Sequence, residues 1–372
     1  MHADGDWQAV ERVLSKDMAT IGEYLQTWKL KLSTTKTVSA VFHHKNKEAK
    51  HVLKVNHSNE TLPFCSESKH FGATLERSLR YRWHLKSLHK KLASRVALLR
   101  WLAGSAWCAG ATTLRTNTSA LVHLTAEYCA PVWCRSAHTR LIHPTINDAL
   151  QIVTGCMRPT PADNLSILAG IQPAELRRKR ATLFLARRAM VSGHLLHSAL
   201  TCPPSRNGRR LKSRHSFVPA AQQLFSSPDN KNRNAGLWAD HRWNAEWLEN
   251  TTTLCTFMPD IGTHPPGTAL PRTAWVRLNH LHTGFECFRS CLHKWGMASS
   301  AACECGAEEQ TVNHVVLQCP IHQPPHGLHG LTVLDDEIIE WLLSTCPEIQ
   351  CDQAVNCYNS LKQWRKKKCT ST

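Results

Sequence analysis

Six apolar residues, Leu85, Leu88, Leu92, Val96, Leu99 and Ala103, recur three or four positions apart in a stretch free of Gly and Pro. That period matches one face of an α-helix and no strand. A one-faced helix this long has to bury its stripe against other elements, which points to a packed helical assembly. Arg82, Lys86 and Lys90 form a basic row beside the stripe, four residues apart. Further helices are expected over residues 7–28, 111–128, 141–155, 173–200 and near 236–250, with short ones in "TAWVRLNHLHTG" and "FECFRSCLHKWG" and another near 335–345. In the first of these, Val10, Val13, Leu14, Met18, Ile21 and Leu25 carry the apolar period.

Strand signals are few. Residues 37–42 are rich in β-branched side chains and predict a short strand. "HVLKVNHSNETLPFC" follows as a further strand and turn, and Gly72 in "SKHFGATLE" marks a bend or a close backbone approach. The fold class is therefore mainly α, with a small α/β portion at the N-terminal end. Residues 201–235, rich in Pro, Ser, Asn and Arg, predict a linker or long loop.

The 372 residues carry 45 Lys+Arg against 28 Asp+Glu, a formal net charge of +17. Such an excess favours a polyanionic partner, nucleic acid before an acidic membrane surface. No apolar run reaches the roughly 20 residues of a membrane span, so no membrane role is expected. The opening "MHADGDWQAV" is polar, which predicts the nucleus or cytoplasm rather than secretion. The 16 Cys are then expected as thiols or metal ligands, most of them buried like small hydrophobes, for example Cys129 and Cys134.

One group of Cys stands apart. Cys303, Cys305, His314 and Cys319 are spaced C-x-C-x8-H-x4-C. Four soft donors so close suit a closed tetrahedral zinc site. Gly306 directly after the second ligand allows the chain to fold around an ion, and Asn313 is the expected N-cap of a helix carrying His314. The pairing of the first two Cys departs from the commoner C-x2-C opening, and chance clustering in a Cys-rich chain is the competing reading.

The segment "ELRRKRATLFLARRAM" holds Arg177, Arg178, Lys179, Arg180, Arg187 and Arg188. These suit phosphate contacts or, equally, a solvated helix face, since basic residues surround its first turn. Arg365, Lys366, Lys367 and Lys368 in the tail suit a polyanion patch or a charged terminus. Trp238, Trp243 and Trp247 are read as core, with base stacking the alternative. Asp335 and Asp336 precede the helical period Ile338, Ile339, Trp341, Leu342, so they are read as favouring a helix dipole rather than as a two-metal site. Asp4 and Asp6 are read as caps of the first helix. No phosphate-loop, nucleophile-elbow or H-E-x-x-H pattern occurs.

The order "YLQTWKLKLSTTKTVSAVF", "KHFGATLERSLRYRWHLKSLHKKL", "AEYCAPVW", then "RLNHLHTG…CLHKWG…CECGAEEQTVNHVVLQCP" resembles the C-terminal part of the reverse transcriptase of non-LTR retrotransposons, jockey-like in character, over roughly residues 7–320. The resemblance implies a palm remnant at 1–65, a helical thumb-like region at 66–200, the basic linker at 201–235, a helical connector at 236–300, a Cys-Cys-His-Cys knuckle at 301–320, and a C-terminal helix with basic tail at 321–372. It implies that Lys36 stands where the family carries a Lys serving the pyrophosphate leaving group. Phe71, Ala73 and Glu76 depart from the family's primer-proximal segment. It matches Cys303, Cys305, His314 and Cys319 to the family's zinc knuckle. The implied partners are RNA and DNA, contacted by Lys36, Lys86, Lys90, Arg177, Arg180 and Arg187. The family's catalytic aromatic-x-Asp-Asp motif does not occur in this sequence, so Mg is expected only in the full-length parent enzyme, and the chain alone is expected to be an inactive, nucleic-acid-binding fragment. The alternative is a structural or protein-interaction scaffold.

Overall fold

The apolar stripe of the sequence lies on one 21-residue helix of the computed structural model, and every Leu and Val of the stripe is buried. The structure describes residues 6–43, 47–58, 60–104, 109–158, 160–201, 217–226, 235–249, 261, 265–284 and 288–344. Asp4, the basic tail at 365–368 and most of the expected linker lie outside the described residues.

The chain opens with helix α1 (Trp7–Thr27). Two hairpins follow, β1 (Asn56–His57) with β2 (Glu60–Thr61), and β3 (Glu67–His70) with β4 (Ala73–Glu76), both antiparallel. Helices then succeed one another: α2 (Arg82–Leu102), α3 (Ala111–Asn117), a π-helical segment (Thr118–His123), α4 (Leu124–Glu127), α5 (Ala130–Trp133), α6 (His143–Thr154), α7 (Ala162–Leu168) and α8 (Ala174–Ala189). The remainder are α9 (His197–Thr201), α10 (Phe217–Ser226), α11 (Ala235–Leu248), α12 (Arg272–Thr283), α13 (Arg289–Lys294), α14 (Val312–Leu317), α15 (Gly327–Val333) and α16 (Asp336–Ser344). The mainly helical class is as expected. Among the described residues no helix is long and apolar enough to cross a membrane.

The chain divides into two units: residues 1–89, 129–142 and 185–223 form the first, and 90–128, 143–184 and 224–372 the second. In the first unit a small core of Val41, Leu53, Val55 and Leu62 is covered by Trp7, Val10, Leu14 and Met18 of α1. Asp6 caps α1 by accepting from the Ala9 backbone N–H at 2.9 Å. The apolar stripe of α1 is narrower than its period predicts, because Val13 and Ile21 are exposed.

The strand expected at 37–42 does not form. It is reduced to one parallel bridge, Ser39 with Phe64, in which the Ser39 N–H donates to the Pro63 carbonyl and the Ser39 carbonyl accepts from the Cys65 N–H. Pro63 has no N–H to extend the ladder, and the next backbone bond, from His43, goes instead to Arg77. The bend at Gly72 is the tip of the β3–β4 hairpin, where Phe71 and Gly72 both have positive φ, as a tight hairpin turn requires. Cys129 and Cys134 are half-buried rather than core residues. Cys129 has φ 55° directly before α5, so it sits at a chain reversal and not on a packed face.

In the second unit α6 and α12 are joined at one helix end. The last carbonyls of an α-helix lack partners within the helix. At the C-terminus of α6, Arg272 donates to the Ile152 and Val153 carbonyls, and Trp275 Nε1 donates to Val153 at 3.2 Å. Asn279 Nδ2 donates to Thr154 at 2.8 Å, and His280 Nε2 lies 2.9 Å from the Gly155 carbonyl. Residues 272, 275, 279 and 280 share one face of α12. One face of a second helix thus replaces the missing turn.

Two further differences have simple causes. Part of the expected linker is α10, where Ala221 is fully buried and Leu224 and Phe225 pack against a core of Leu176, Leu183, Trp238 and Ala239. Apolar residues at helical spacing outweigh the loop composition around them. Residues 173–200 are two helices, α8 and α9, with a turn between them that includes Gly193 at φ 92°.

His282, near the end of α12, is buried, and burial pushes its pKa down to about 4. The unfolded chain therefore binds this proton first as the pH falls. The stabilisation is whole above about pH 6.5 and is lost as pH drops through the folded value near 4. A loss on the order of 3 kcal/mol is expected from this group between those limits. Urea unfolding at pH 7 and pH 4 should show it. The loss should shrink in His282→Phe, and an equal loss in both proteins would assign the acid sensitivity elsewhere.

Candidate functional site

Two features of the second unit concentrate chemistry. The first is the Cys/His cluster. The chain folds back at Cys303, whose N–H donates to the Ala307 carbonyl at 2.9 Å, while Gly306 N–H donates to Cys303 at 3.0 Å. Gly306 has φ 95°, a conformation disfavoured for residues with a Cβ. Helix α14 then brings His314 round. Its N-cap is Thr311, whose hydroxyl accepts from His314 N–H at 3.2 Å, and not Asn313, which lies inside the first turn. Thr311 holds the extended φ and ψ that an N-cap needs. The chain then leaves the helix, and Cys319 N–H returns to the His314 carbonyl at 2.8 Å.

These turns bring the ligand atoms of Cys303, Cys305, His314 and Cys319 within 4.8 Å of one another. Cys303 Sγ and Cys319 Sγ are 3.7 Å apart, and Cys305 Sγ is 3.1 Å from His314 Nε2. Thiolates 2.3 Å from one tetrahedral ion would be separated by about 3.8 Å. The donor set could hold a metal ion, and among the described residues it is the one such group of Cys, His, Asp and Glu. Two further N–H groups face the sulfurs: Gln310 Nε2 at 3.8 Å from Cys303, and the His322 backbone at 3.4 Å from Cys319. Hydrogen bonds of this kind orient the ligands of a metal site.

The second feature is a groove of about 790 Å³ whose lining includes Arg115, Gln172, Arg177, Arg180, Asp240 and Trp243. Trp238 and Trp247 are buried, whereas Trp243 packs against the core and also lines this groove. Beneath it lies an ionic cluster. The π-helical segment buries His123, and Glu127 pairs with Arg177, whose Nη2 is 3.1 Å from Oε2. Burial pushes the Glu127 carboxyl upward, but the neighbouring His123 ring, 3.7 Å away, and the hydrogen bonds and charge of Arg177 outweigh it and hold the pKa below the usual range. Burial pushes the His123 pKa down.

The expected nucleic-acid contacts number six. Arg177 and Arg180 line the groove. Arg180 is exposed, and Arg187 is half-buried near the end of α8. Lys86 and Lys90 are exposed on α2, and the Lys86 ammonium lies 5.1 Å from the centre of the Trp83 ring. Lys36 is exposed in a turn after α1. Arg115, Gln172 and Asp240 were not singled out by sequence, because nothing local to any of them marks it. Asp335 accepts from Ile338 N–H at 3.0 Å and caps α16, a capping bond in addition to the favourable dipole position read from the sequence.

Comparison with known proteins gives three relatives. A retrovirus-related Pol polyprotein from type-1 retrotransposable element R1 4 of Nasonia vitripennis is 25% identical over 279 residues, 72% of this chain and 64% of that protein. The corresponding polyprotein of element R1 from Bradysia coprophila is 21% identical, over 74% of this chain and 26% of its own length. That of element R1 2 from Nasonia vitripennis is 21% identical, over 87% of this chain and 77% of its own length. The chain thus spans less than two thirds of the first two relatives. Its homologues are non-LTR retrotransposon Pol polyproteins, as the motif order implies. No family model and no solved structure matches it.

Proposed function

We propose that this chain, a homologue of R1 retrotransposon Pol polyproteins, is a nucleic-acid-holding portion of a reverse transcriptase that does not itself carry out polymerisation. The observation that carries the reading is the convergence of Cys303, Cys305, His314 and Cys319 in a strongly basic chain with such homologues. The site is read as a structural zinc knuckle, because four N/S donors leave no open position for substrate. Zinc would supply a cross-link between the 303–306 turn and α14, and with it folding energy that so small a unit lacks. Arg289 and Lys294 on α13 lie beside the knuckle, paired with Glu304 and Glu309. Lys86, Lys90 and Arg180 supply exposed positive charge for a phosphate backbone.

Polymerisation needs carboxylates that hold two metal ions. The one adjacent Asp pair in the sequence, Asp335–Asp336, opens a helix, and its first member is engaged as the cap. The reading is tested by primer extension on an RNA template, alone and with a separately supplied palm domain, next to RNA binding across a salt series. Binding that weakens steeply with salt, with no extension by the chain alone, is expected. Extension by the chain alone would overturn the assignment. Absence of binding at low salt would instead favour a protein-interaction scaffold whose charge is idle.

A further inference from the structure

One backbone edge of the first unit is left open. Ser39 and Val41 are buried, whereas Val38 and Phe42 are 45% and 37% exposed. That alternation is the period of a strand with one covered face. Backbone groups alternate along a strand as well, so residues of one parity bond to one side and the others to the opposite side. Ser39 and His43 direct theirs to Pro63, Cys65 and Arg77. Val38, Ala40 and Phe42 therefore turn their N–H and C=O groups the other way, where no backbone bond engages them among the described residues. Residues 37–42 carry no charge and no Pro, the usual guards of an open edge. A segment that reads as a strand but finds a single bridge lacks a partner, not propensity.

We propose that this edge pairs with the same edge of a second copy of the chain, in a two-fold symmetric dimer whose antiparallel ladder is centred on Ala40. The segment's own symmetry selects the occupant. With Ala40 opposite its counterpart, Val38, Ala40 and Phe42 all fall in hydrogen-bonded register, and Val38 faces the partner's Phe42 at both ends. About six backbone bonds form. Two exposed apolar side chains of each copy meet across the ladder and lose water, and no charge within 37–42 is brought against its like. The other side of the segment is already taken by Pro63 and Cys65, so the contact is isologous and closes at two. A ladder this short is a weak contact, on the order of micromolar. The net charge of +17 sets the copies against each other, so salt strengthens the dimer by screening. Nucleic-acid binding has the opposite salt dependence, and the dimer stands independently of that reading.

The test uses the whole chain, freed of nucleic acid, in sedimentation velocity runs from roughly 1 to 200 µM at two salt concentrations. A monomer–dimer equilibrium that shifts towards dimer at the higher salt is expected. Val38→Lys combined with Phe42→Lys sets like charges opposite each other across the ladder and should weaken the dimer about tenfold or more. Val38→Lys combined with Phe42→Glu removes the same apolar side chains but sets opposite charges face to face, and should recover most of the affinity. A general effect on folding would weaken both variants alike. Amide exchange at Val38, Ala40 and Phe42 should slow as the concentration rises. A chain that stays monomeric throughout would overturn the proposal and leave the edge to a strand of a different protein. A dimer weakened equally by both pairs of substitutions, a dimer untouched by either, or species that grow beyond two copies would overturn it as well.

Discussion

Cys305→Ser is expected to lose the metal and unfold residues 301–320, while α2, α6 and α8 stay folded. Few apolar side chains in this segment are buried: Val315 and Val316 on α14, with Cys303 and Cys319 themselves. The rest is turns held by backbone bonds, which water replaces at little cost. In such units metal binding is folding free energy, on the order of 10–16 kcal/mol at neutral pH. A hydroxyl in place of one thiolate removes a ligand that zinc prefers. Zinc content should fall from one equivalent to near none. Limited proteolysis should then cut within 301–320, with far-ultraviolet circular dichroism little changed. If Cys305→Ser holds zinc as tightly as the parent, the ligand set is wrong.

Gly155→Ala is expected to cost about 3 kcal/mol or more. Gly155 has φ 72°, where a Cβ costs about 1–2 kcal/mol by itself. A Cβ there would also lie 2.3 Å from Val276 Cγ2, so α12 would have to shift. Overpacking of this kind typically adds 1–3 kcal/mol. A shift would also disturb the bonds from Asn279 and His280 to the end of α6. Val276→Ala in the same chain should restore part of the loss by making room. Measured as a double-mutant cycle in urea, the two substitutions should be coupled by about 1 kcal/mol or more. Additive effects would mean that α12 is not seated on Gly155 as described.

How far the fold is legible from sequence depends on how local its causes are. The stripe from Leu85 to Leu99 reads directly, because helix period and burial coincide on one element. The capping role of Asp6 and the helix-opening place of Asp335 read directly as well, each being settled within three residues. The Cys/His cluster is legible because two tight turns and a short helix bring its members together within 17 positions. The strand at 37–42 fails as an expectation because a strand needs a partner, and Pro63 in the neighbouring segment cannot extend the ladder. The cap on α6 is invisible beforehand, since "RTAWVRLNHLHT" reads as an ordinary amphipathic helix until its polar face meets four carbonyls. The groove is hidden for the same reason. Arg115, Gln172 and Arg180 come from three separate stretches and Asp240 and Trp243 from a fourth, α11, and only Arg180 and Trp243 carry a signal of their own.

The ionic cluster under the groove shows why charge counting misjudges contacts. Arg177 and Arg180 look alike in "ELRRKR", yet one is matched by Glu127 and the other is not. The same holds for Lys179, paired with Glu175 at 2.9 Å on the exposed side of α8. A surplus of +17 states that a polyanion is favoured; the pairing of each side chain states where.

The most direct test of the account is zinc content and RNA affinity measured on one preparation of the whole chain, at two salt concentrations. The account predicts one equivalent of zinc and an affinity that falls steeply between the lower and the higher salt. A chain that holds no zinc and binds no RNA at either concentration would contradict it, and the likeness to retrotransposon Pol proteins would then record ancestry alone.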